Sequence, residues 1–400
     1  MYIGKPIPPT MLINREEIVS KLVKDLSNPK IHASFALVGY RRVGKTSVLL
    51  KTKMELERRG LVVAYFDVKE RATDPEGFLS DLETELITAY SNHLTTFQKV
   101  RQKAQDLRKG IVQKISNLVS SVEDIGLEIS PAGTITPKIH FGDKSEEDYA
   151  RVFRSVFTTA DNIAEKTGKR VVLILDEFQD IMKPKEFKGL KNILDLYRGA
   201  LQRRGNVSHV ISGSRVHMLR KIFEEPGSPL FQHFIPLFLG SLDESDAIKL
   251  FTIVIEQRDI GVGKEMLEEA AKVAFTLVGG HPYYVIILAE SWDGKMALQK
   301  VFDHLTSAPT GSLYIYANYV LSEDLGQAPG GPMLKKIVKV MAIEGQPMES
   351  SEIARRVGKT QNYLEFYMKT LLDYDVITKL RRGIYQLSDS VISLVIAKNS

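Results

Sequence analysis

Cysteine is absent from all 400 residues, which excludes disulfides and thiolate metal sites and suits a reducing compartment. Long apolar runs are missing as well: runs such as 171–175 fall far short of the roughly 20 residues that span a bilayer. The amino-terminal stretch MYIGKPIPPT lacks the apolar core of a signal peptide, so the expectation is a cytoplasmic protein with no membrane partner. Charge of one sign is in small excess, +5, too little to announce nucleic acid by itself. Repeats and low-complexity tracts are lacking too. What remains is the composition of an ordinary globular protein, long enough for about two to three domains.

The chain is organised around residues 34–50, SFALVGYRRVGKTSVLL. An apolar strand, Phe35 to Val38, runs into Gly39-Tyr40-Arg41-Arg42-Val43-Gly44-Lys45-Thr46, and a helical pattern follows from Ser47. This is G-x-x-x-x-G-K-[ST], a phosphate-binding loop. The β- and γ-phosphates of a nucleotide need wrapping by backbone N–H groups at a helix N-terminus, and Gly39 and Gly44 permit the backbone angles and close approach this demands. Lys45 then bridges the phosphates as a point charge, and the Thr46 hydroxyl is a ligand for Mg²⁺. The bland alternative is a glycine-rich turn between a strand and a helix.

Further strands are expected at 61–68, 171–176, 207–212 and 234–239, with helices at 75–91, 146–167 and 185–204 between them. The alternation predicts an α/β fold, a doubly wound five-stranded parallel sheet with ligands at the carboxyl ends of its strands. Asn14 and Glu17 form a candidate capping box for a first helix. Met11, Leu12 and Ile13 could wall a purine or be ordinary core. Residues 91–142 read as an insertion: a basic helical stretch, six basic residues against Asp106 between Lys99 and Lys114, then a hairpin turning at Pro131-Ala132-Gly133. The basic run is either a solvated helix face or a contact for a partner. After Gly240 the strands stop and helical patterns fill 244–304. Residues 322–332, SEDLGQAPGGP, read as a linker, which divides the chain into 1–240, 241–321 and 333–400.

Five apolar residues ending in Asp176-Glu177 describe a central strand buried on both faces. An acid there can hold Mg²⁺ beside the phosphate loop, and the next can orient or deprotonate the attacking water; solvated acids at a strand end are the alternative. The fourth strand ends in Ser212-Gly213-Ser214-Arg215, beside the Asp176 strand, so Ser214 and Arg215 either sense a γ-phosphate or, for the arginine, cap the next helix.

GYRRVGKT, LILDE, SGSR and VGGHP, in that order and followed by a helical unit, resemble the archaeal ATPase family of the STAND class of P-loop NTPases, relatives of AAA+ proteins. The likeness covers about residues 10–306. It implies an ATPase that uses ATP and Mg²⁺, with Arg15 in the amino-terminal box, Arg215 in the fourth-strand motif, and Gly280 with Pro282 as the element by which a helical lid touches the nucleotide. The absence of an Asn-Lys-x-Asp guanine signature favours adenine. No clear arginine finger is visible; Arg198, Arg203 and Arg204 are candidates for serving a neighbouring subunit.

Residues 333–400 resemble a winged helix: helix 351–357, helix 360–373, then a hairpin tipped by Arg381-Arg382-Gly383. Gln361, Asn362, Tyr363 and Lys369 could face a major groove of duplex DNA, with Arg381 and Arg382 against phosphates or the minor groove. Equally, the unit could contact protein or lock the molecule. The reading is an ATP-hydrolysing switch reporting to this winged helix. The alternatives are a DNA-binding AAA+ protein of replication-initiator type and a nucleotide-binding scaffold without turnover, with self-association open.

Overall fold

The chain begins with strands and helices in alternation. In this computed structural model, which describes residues 12–71, 74–98, 104–120, 122–129, 135–186, 190–203, 206–326 and 328–399, the first unit runs α1 (Glu16–Ser27), β1 (Phe35–Val38), α2 (Lys45–Arg58), β2 (Val62–Asp67), α3 (Val68–Arg71), α4 (Pro75–Gln98), α5 (Ala104–Val119), β3 (Ile125–Ile129), β4 (Ile135–Ile139), α6 (Glu146–Thr167), β5 (Val171–Asp176), α7 (Ile193–Leu201), β6 (Val207–Gly213), α8 (Val216–Glu224) and β7 (Ile235–Phe238). Five of these strands pair in the order β2-β5-β6-β1-β7, all parallel. The expected five-stranded α/β sheet is present.

Strand β5 lies inside the sheet and every residue of it is buried. Its period of two sends Val171, Leu173 and Leu175 into a core shared with α4 and α6, and Val172 and Ile174 into a second core shared with α1 and α2. That double burial is why the stretch is apolar without a break. Ser145 opens α6 with a capping box to Asp148. The edge strand β7 is the opposite case, with Ile235 and Phe238 exposed. The inserted block adds to the first core through Ile115, Leu118, Val122 and Ile125, and its hairpin β3-β4 is antiparallel. The proposed turn at 131–133 and the basic residues Lys99, Arg101 and Lys103 lie outside the described residues.

Three local expectations fail. Asn14 is not a cap: it sits at φ +50°, Arg15 flanks the helix without a side-chain cap, and the Arg15 N–H donates to Glu16 instead, at 2.9 Å. The helix expected at 185–204 shrinks to α7, preceded by a 3-10 segment, Phe178–Glu186. Pro184 has no N–H for an α-helical ladder. Helix α4 runs on to Gln98, past its expected end.

A helical unit follows: α9 (Glu244–Arg258), α10 (Lys264–Val278), α11 (Pro282–Ser291), α12 (Leu298–Ser307) and α13 (Ser312–Gly326). The last unit comprises α14 (Gly331–Glu344), β8 (Met348–Glu349), α15 (Ser350–Val357), α16 (Gln361–Asp373), β9 (Ile377–Arg381), β10 (Ile384–Leu387) and α17 (Ser390–Lys398). Its three strands form an antiparallel sheet in the order β8-β10-β9.

The expected linker at 322–332 is instead the junction of two helices. Helix α13 extends to Gly326 and α14 starts at Gly331, while Leu325 and Ala328 are buried in the core of the last unit. Gly330 at φ +82° and Pro332 in the first turn of α14 are start signals of a helix, so the same glycines and prolines that suggest a linker here make a tight corner. The boundary is blurred from the other side too, because Val391 and Val395 of α17 pack in the core of α9–α13. A cut at residue 333 therefore removes part of the helical unit's interior. Among the described residues no helix is long and apolar enough to cross a membrane.

Candidate functional site

The parallel register brings the chemistry together. Pairing of Asp67 with Asp176, of Leu175 with Ile211 and of Val38 with Gly213 sets the carboxyl ends of β2, β5, β6 and β1 side by side. Gly39 leaves β1 where a Cβ would stand 2.3 Å from the Leu239 carbonyl oxygen, so only glycine fits. Gly44 begins α2 at φ +101°, again a glycine conformation. Between them Val43 is buried in the core with α1, which anchors the loop. Ser47 is buried in the first turn of α2.

Lys45 is buried, and its Nζ donates to the carbonyl oxygens of Gly39 at 2.9 Å and Tyr40 at 3.0 Å. Burial lowers its pKa, against the pull of Glu177 and Asp176. An ammonium carries three N–H donors, so one remains for an anionic oxygen. Thr46 Oγ1 donates to Asp176 Oδ2 at 2.8 Å. Asp176 is the hub of the site: it also accepts from the Tyr65 hydroxyl at 2.7 Å, from the Glu177 N–H at 3.0 Å and from Ser212 Oγ. Burial and then the Asp176 charge raise the pKa of Tyr65 and push Asp67 up to about 6. Tyr65 and Ser212 are functional candidates that the sequence alone did not single out; a tyrosine and a serine near the ends of otherwise apolar strands are the faint signal.

Glu177 turns out of β5 at φ +50°, a conformation that costs a non-glycine residue energy and concentrates at functional sites. Its Oε2 accepts from Gln179 Nε2 at 2.6 Å, from Ser214 Oγ at 2.8 Å and from Ser214 N at 3.2 Å. Burial acts to raise this carboxyl, but Lys45 and the Gln179 and Ser214 donors outweigh it and the net shift is downward. Among the described residues no group of three His, Cys, Asp or Glu could hold a metal. Thr46 and Asp176 are the oxygen donors that could hold a cation here, and a hard ion such as Mg²⁺ would complete its shell with water and ligand oxygens.

Glu177, Gln179, Ser214 and Arg215, with Tyr40, Arg41, Lys69 and Asp180 of the same unit, line a cavity of about 430 Å³ whose remaining walls come from the helical unit and the last unit. The helical unit grips the loop from above. The Arg42 guanidinium lies 4.1 Å from the Tyr283 ring and 4.7 Å from Tyr316, and Arg41 lies 5.4 Å from Tyr319. His281 Nε2 is 3.0 Å from the Arg41 carbonyl oxygen, its buried Nδ1 has no partner, and burial lowers its pKa. The last unit closes the far side: the Tyr374 ring lies 4.2 Å from the Arg215 guanidinium, and both carboxylate oxygens of Asp375 accept from the His217 N–H at the start of α8, at 3.2 and 3.3 Å.

Residues 12–288 match the family described as "ATPase domain predominantly from Archaea". The chain belongs to that family. A comparison with curated proteins found no match. Among solved structures, this ATPase is similar in fold to the Walker-type ATPase paby2304 of Pyrococcus abyssi, at 17% identity over 98% of each chain with a TM-score of 0.64. It is also similar to the Aeropyrum pernix ORC2 protein, solved as ADPNP–ADP complexes, at 14% identity over 99% of this chain and 97% of that one with a TM-score of 0.53.

The remaining expected residues fall at varying distances from the ATPase site. Tyr40 and Arg41 line the cavity, and Tyr40 meets Phe238 edge to face with centroids 6.3 Å apart. Arg15 is buried and donates from Nη2 to the Gly240 carbonyl oxygen at 2.6 Å, joining α1 to the end of the sheet; burial lowers its pKa. Pro282 is buried in the first turn of α11, and the cavity wall there is Gly279, Gly280 and His281. Gly280 is also held to glycine from behind, where a Cβ would stand 1.7 Å from the Leu242 carbonyl oxygen. Leu12 packs on the α1–α2 core and Ile13 on the lid core; Met11 lies outside the described residues. Of the finger candidates, Arg203 is tied to Thr158 Oγ1 at 2.6 Å and to Asp161, Arg198 pairs with Asp195, and Arg204 lies outside the described residues. Gln361, Asn362, Tyr363, Lys369, Arg381 and Arg382 are all exposed and none of them lines the cavity.

Proposed function

We propose that the protein is a Mg²⁺-dependent ATP hydrolase whose nucleotide state is read by a carboxyl-terminal winged helix, residues 333–400. Lys45 and the backbone N–H groups of residues 40–47 hold the phosphates of ATP. Thr46 and Asp176 hold Mg²⁺, which when bound supplies positive charge to the β- and γ-phosphate oxygens. Tyr65 and Ser212 fix the Asp176 carboxylate. Glu177 orients the attacking water and takes its proton as the water oxygen bonds to the γ-phosphorus and the bond to the ADP oxygen breaks. Arg215 meets the charge on the transferred group.

One observation carries the switch. Arg215, at the end of β6 beside the acids, is in contact with Tyr374 of the last unit, and Asp375 next to it holds the start of α8. An arginine drawn to a γ-phosphate leaves the Tyr374 ring, so the phosphate and the last unit compete for one side chain. In its test, the full chain and Glu177→Gln are assayed for phosphate release from ATP, and a fluorophore pair on α2 and α16 reports their separation with ADP and with a non-hydrolysable ATP. Hydrolysis by the wild type, its loss in Glu177→Gln and a distance that differs between nucleotides are expected. An unchanged distance overturns the switch, and no phosphate release leaves the scaffold reading.

The second reading, duplex DNA as partner, is favoured by the free outer face of α16 and the exposed Arg381 and Arg382 at the hairpin tip. A mobility shift with a steep salt slope supports it; no shift at about 50 mM salt removes it.

A further inference from the structure

Gln179 follows the two acids and is nearly inaccessible, 4% exposed, yet it lines the cavity together with Glu177 and Ser214. Its Nε2 donates to Glu177 Oε2 at 2.6 Å. The amide orientation is set by that contact, since the reversed amide would press a carbonyl oxygen against a carboxylate. The cost appears at the other end: Gln179 Oε1 is buried with no partner, an arrangement that proteins seldom keep without a reason. The neighbouring strand is shaped to admit it. Gly213 ends β6 where a Cβ would stand 2.1 Å from Gln179 Oε1 and 2.6 Å from Leu219 Cδ1. Glycine is thus required there by the glutamine packed over its Cα, for φ at Gly213 is not positive.

These contacts leave the two oxygens of Glu177 unequal. Oε2 is saturated by Gln179 Nε2 and by the Ser214 N–H and hydroxyl, so only Oε1 is left for a water. The strained backbone at Glu177 needs such support, because a carboxylate at φ +50° has no helix or strand ladder to fix its direction.

We propose that Gln179 is a positioning residue for hydrolysis: its amide, seated on Gly213, clamps Glu177 Oε2 so that Oε1 alone faces the attacking water. The inference rests on the reading of Glu177 as the base. Its effect is on the chemical step, since the phosphates are held by other residues. A displacement of the base by about 1 Å costs roughly 10²-fold, so loss of the clamp lowers kcat by ~10- to 100-fold and leaves KM within about twofold.

The test measures kcat, KM and ATP-analogue binding for the full chain and for Gln179→Met, which keeps the volume and removes the donor. Gln179→Glu, isosteric and repelled by Glu177, serves as the second variant should methionine unfold the protein, and Gly213→Ala displaces the amide from the facing strand. All three are expected to lose kcat with binding intact, and Gln179→Met added to Glu177→Gln is expected to cost nothing further. A wild-type kcat in a folded Gln179 variant, a KM that rises in step with the kcat loss, or an additive double variant overturns the clamp alone. A wild type without turnover, or Glu177→Gln as active as wild type, overturns the hydrolase reading and the clamp with it.

Discussion

The floor and the roof of the cavity are held by different physics. The floor is the row of strand ends, and directly behind its lining residue Glu177 the Asp176 carboxylate takes four hydrogen bonds, from Tyr65 on β2, Ser212 on β6, Thr46 on α2 and the Glu177 N–H, with parallel ladders fixing where the strands stand. The roof, made by the lid and the last unit, rests on arginines over tyrosine rings, a carboxylate at a helix start, and the ion pair of Asp373 with Lys221. Contacts of this kind contribute on the order of 1 to 2 kcal/mol each, more where the rings are buried, as Tyr283 and Tyr316 are. A floor of this sort is set before a ligand arrives. The roof can be opened by one.

The sharpest way to break the comparison is at the floor. Lys45→Ala should weaken ATP binding roughly 10³-fold, about 4 kcal/mol, since a buried charge contact is lost whole; equilibrium titration with a fluorescent analogue checks it, and wild-type affinity would end the phosphate-loop assignment. Below the floor, between α4 and α6, Glu83 is wholly buried beside Thr159 with no charged partner, and burial, against the pull of the Thr159 hydroxyl, pushes its pKa up to about 8. The folded state therefore holds this proton more tightly than the unfolded chain does, whose glutamate titrates near 4.5. Stability should be full below about pH 4.5 and fall as pH rises towards 8. Glu83→Gln should flatten that fall and gain on the order of 3 kcal/mol at pH 8, read from denaturant melts at pH 5 and pH 8; equal slopes for both proteins would show the carboxyl is solvated. The smallest effect belongs to the roof. Tyr374→Ala should leave ATP affinity of the floor within a fewfold but raise hydrogen exchange at the first amides of α8 by about fivefold, the ~1 kcal/mol of one cation–π contact. No change there would mean that the roof is held elsewhere.

How much of this was legible depended on whether the signal was local. Strand, loop and helix around Gly39 to Thr46 are contiguous, and Asp176-Glu177 ends an unbroken apolar run, so the floor could be read from spacing. Tyr65 and Gln179 could not, because their partners are fixed by strand register and by the reach of a side chain across two strand ends. Within VGGHP the pattern could not tell which residues face the cavity: Gly279, Gly280 and His281 do, while Pro282 is buried behind them. The turn at 328–330 was misread since glycine and proline mark a helix corner and a linker alike, and only the burial of Leu325 and Ala328 separates the two.

The placement of α17 has a consequence for how the molecule is made. The lid cannot finish its interior until Val391 and Val395 have been synthesised. On the ribosome the sheet and phosphate loop come together early, while the part that covers them waits for a helix about 150 residues further along the chain. A nascent chain stalled before residue 390 would thus carry an open nucleotide platform, with no means of enclosing what it binds.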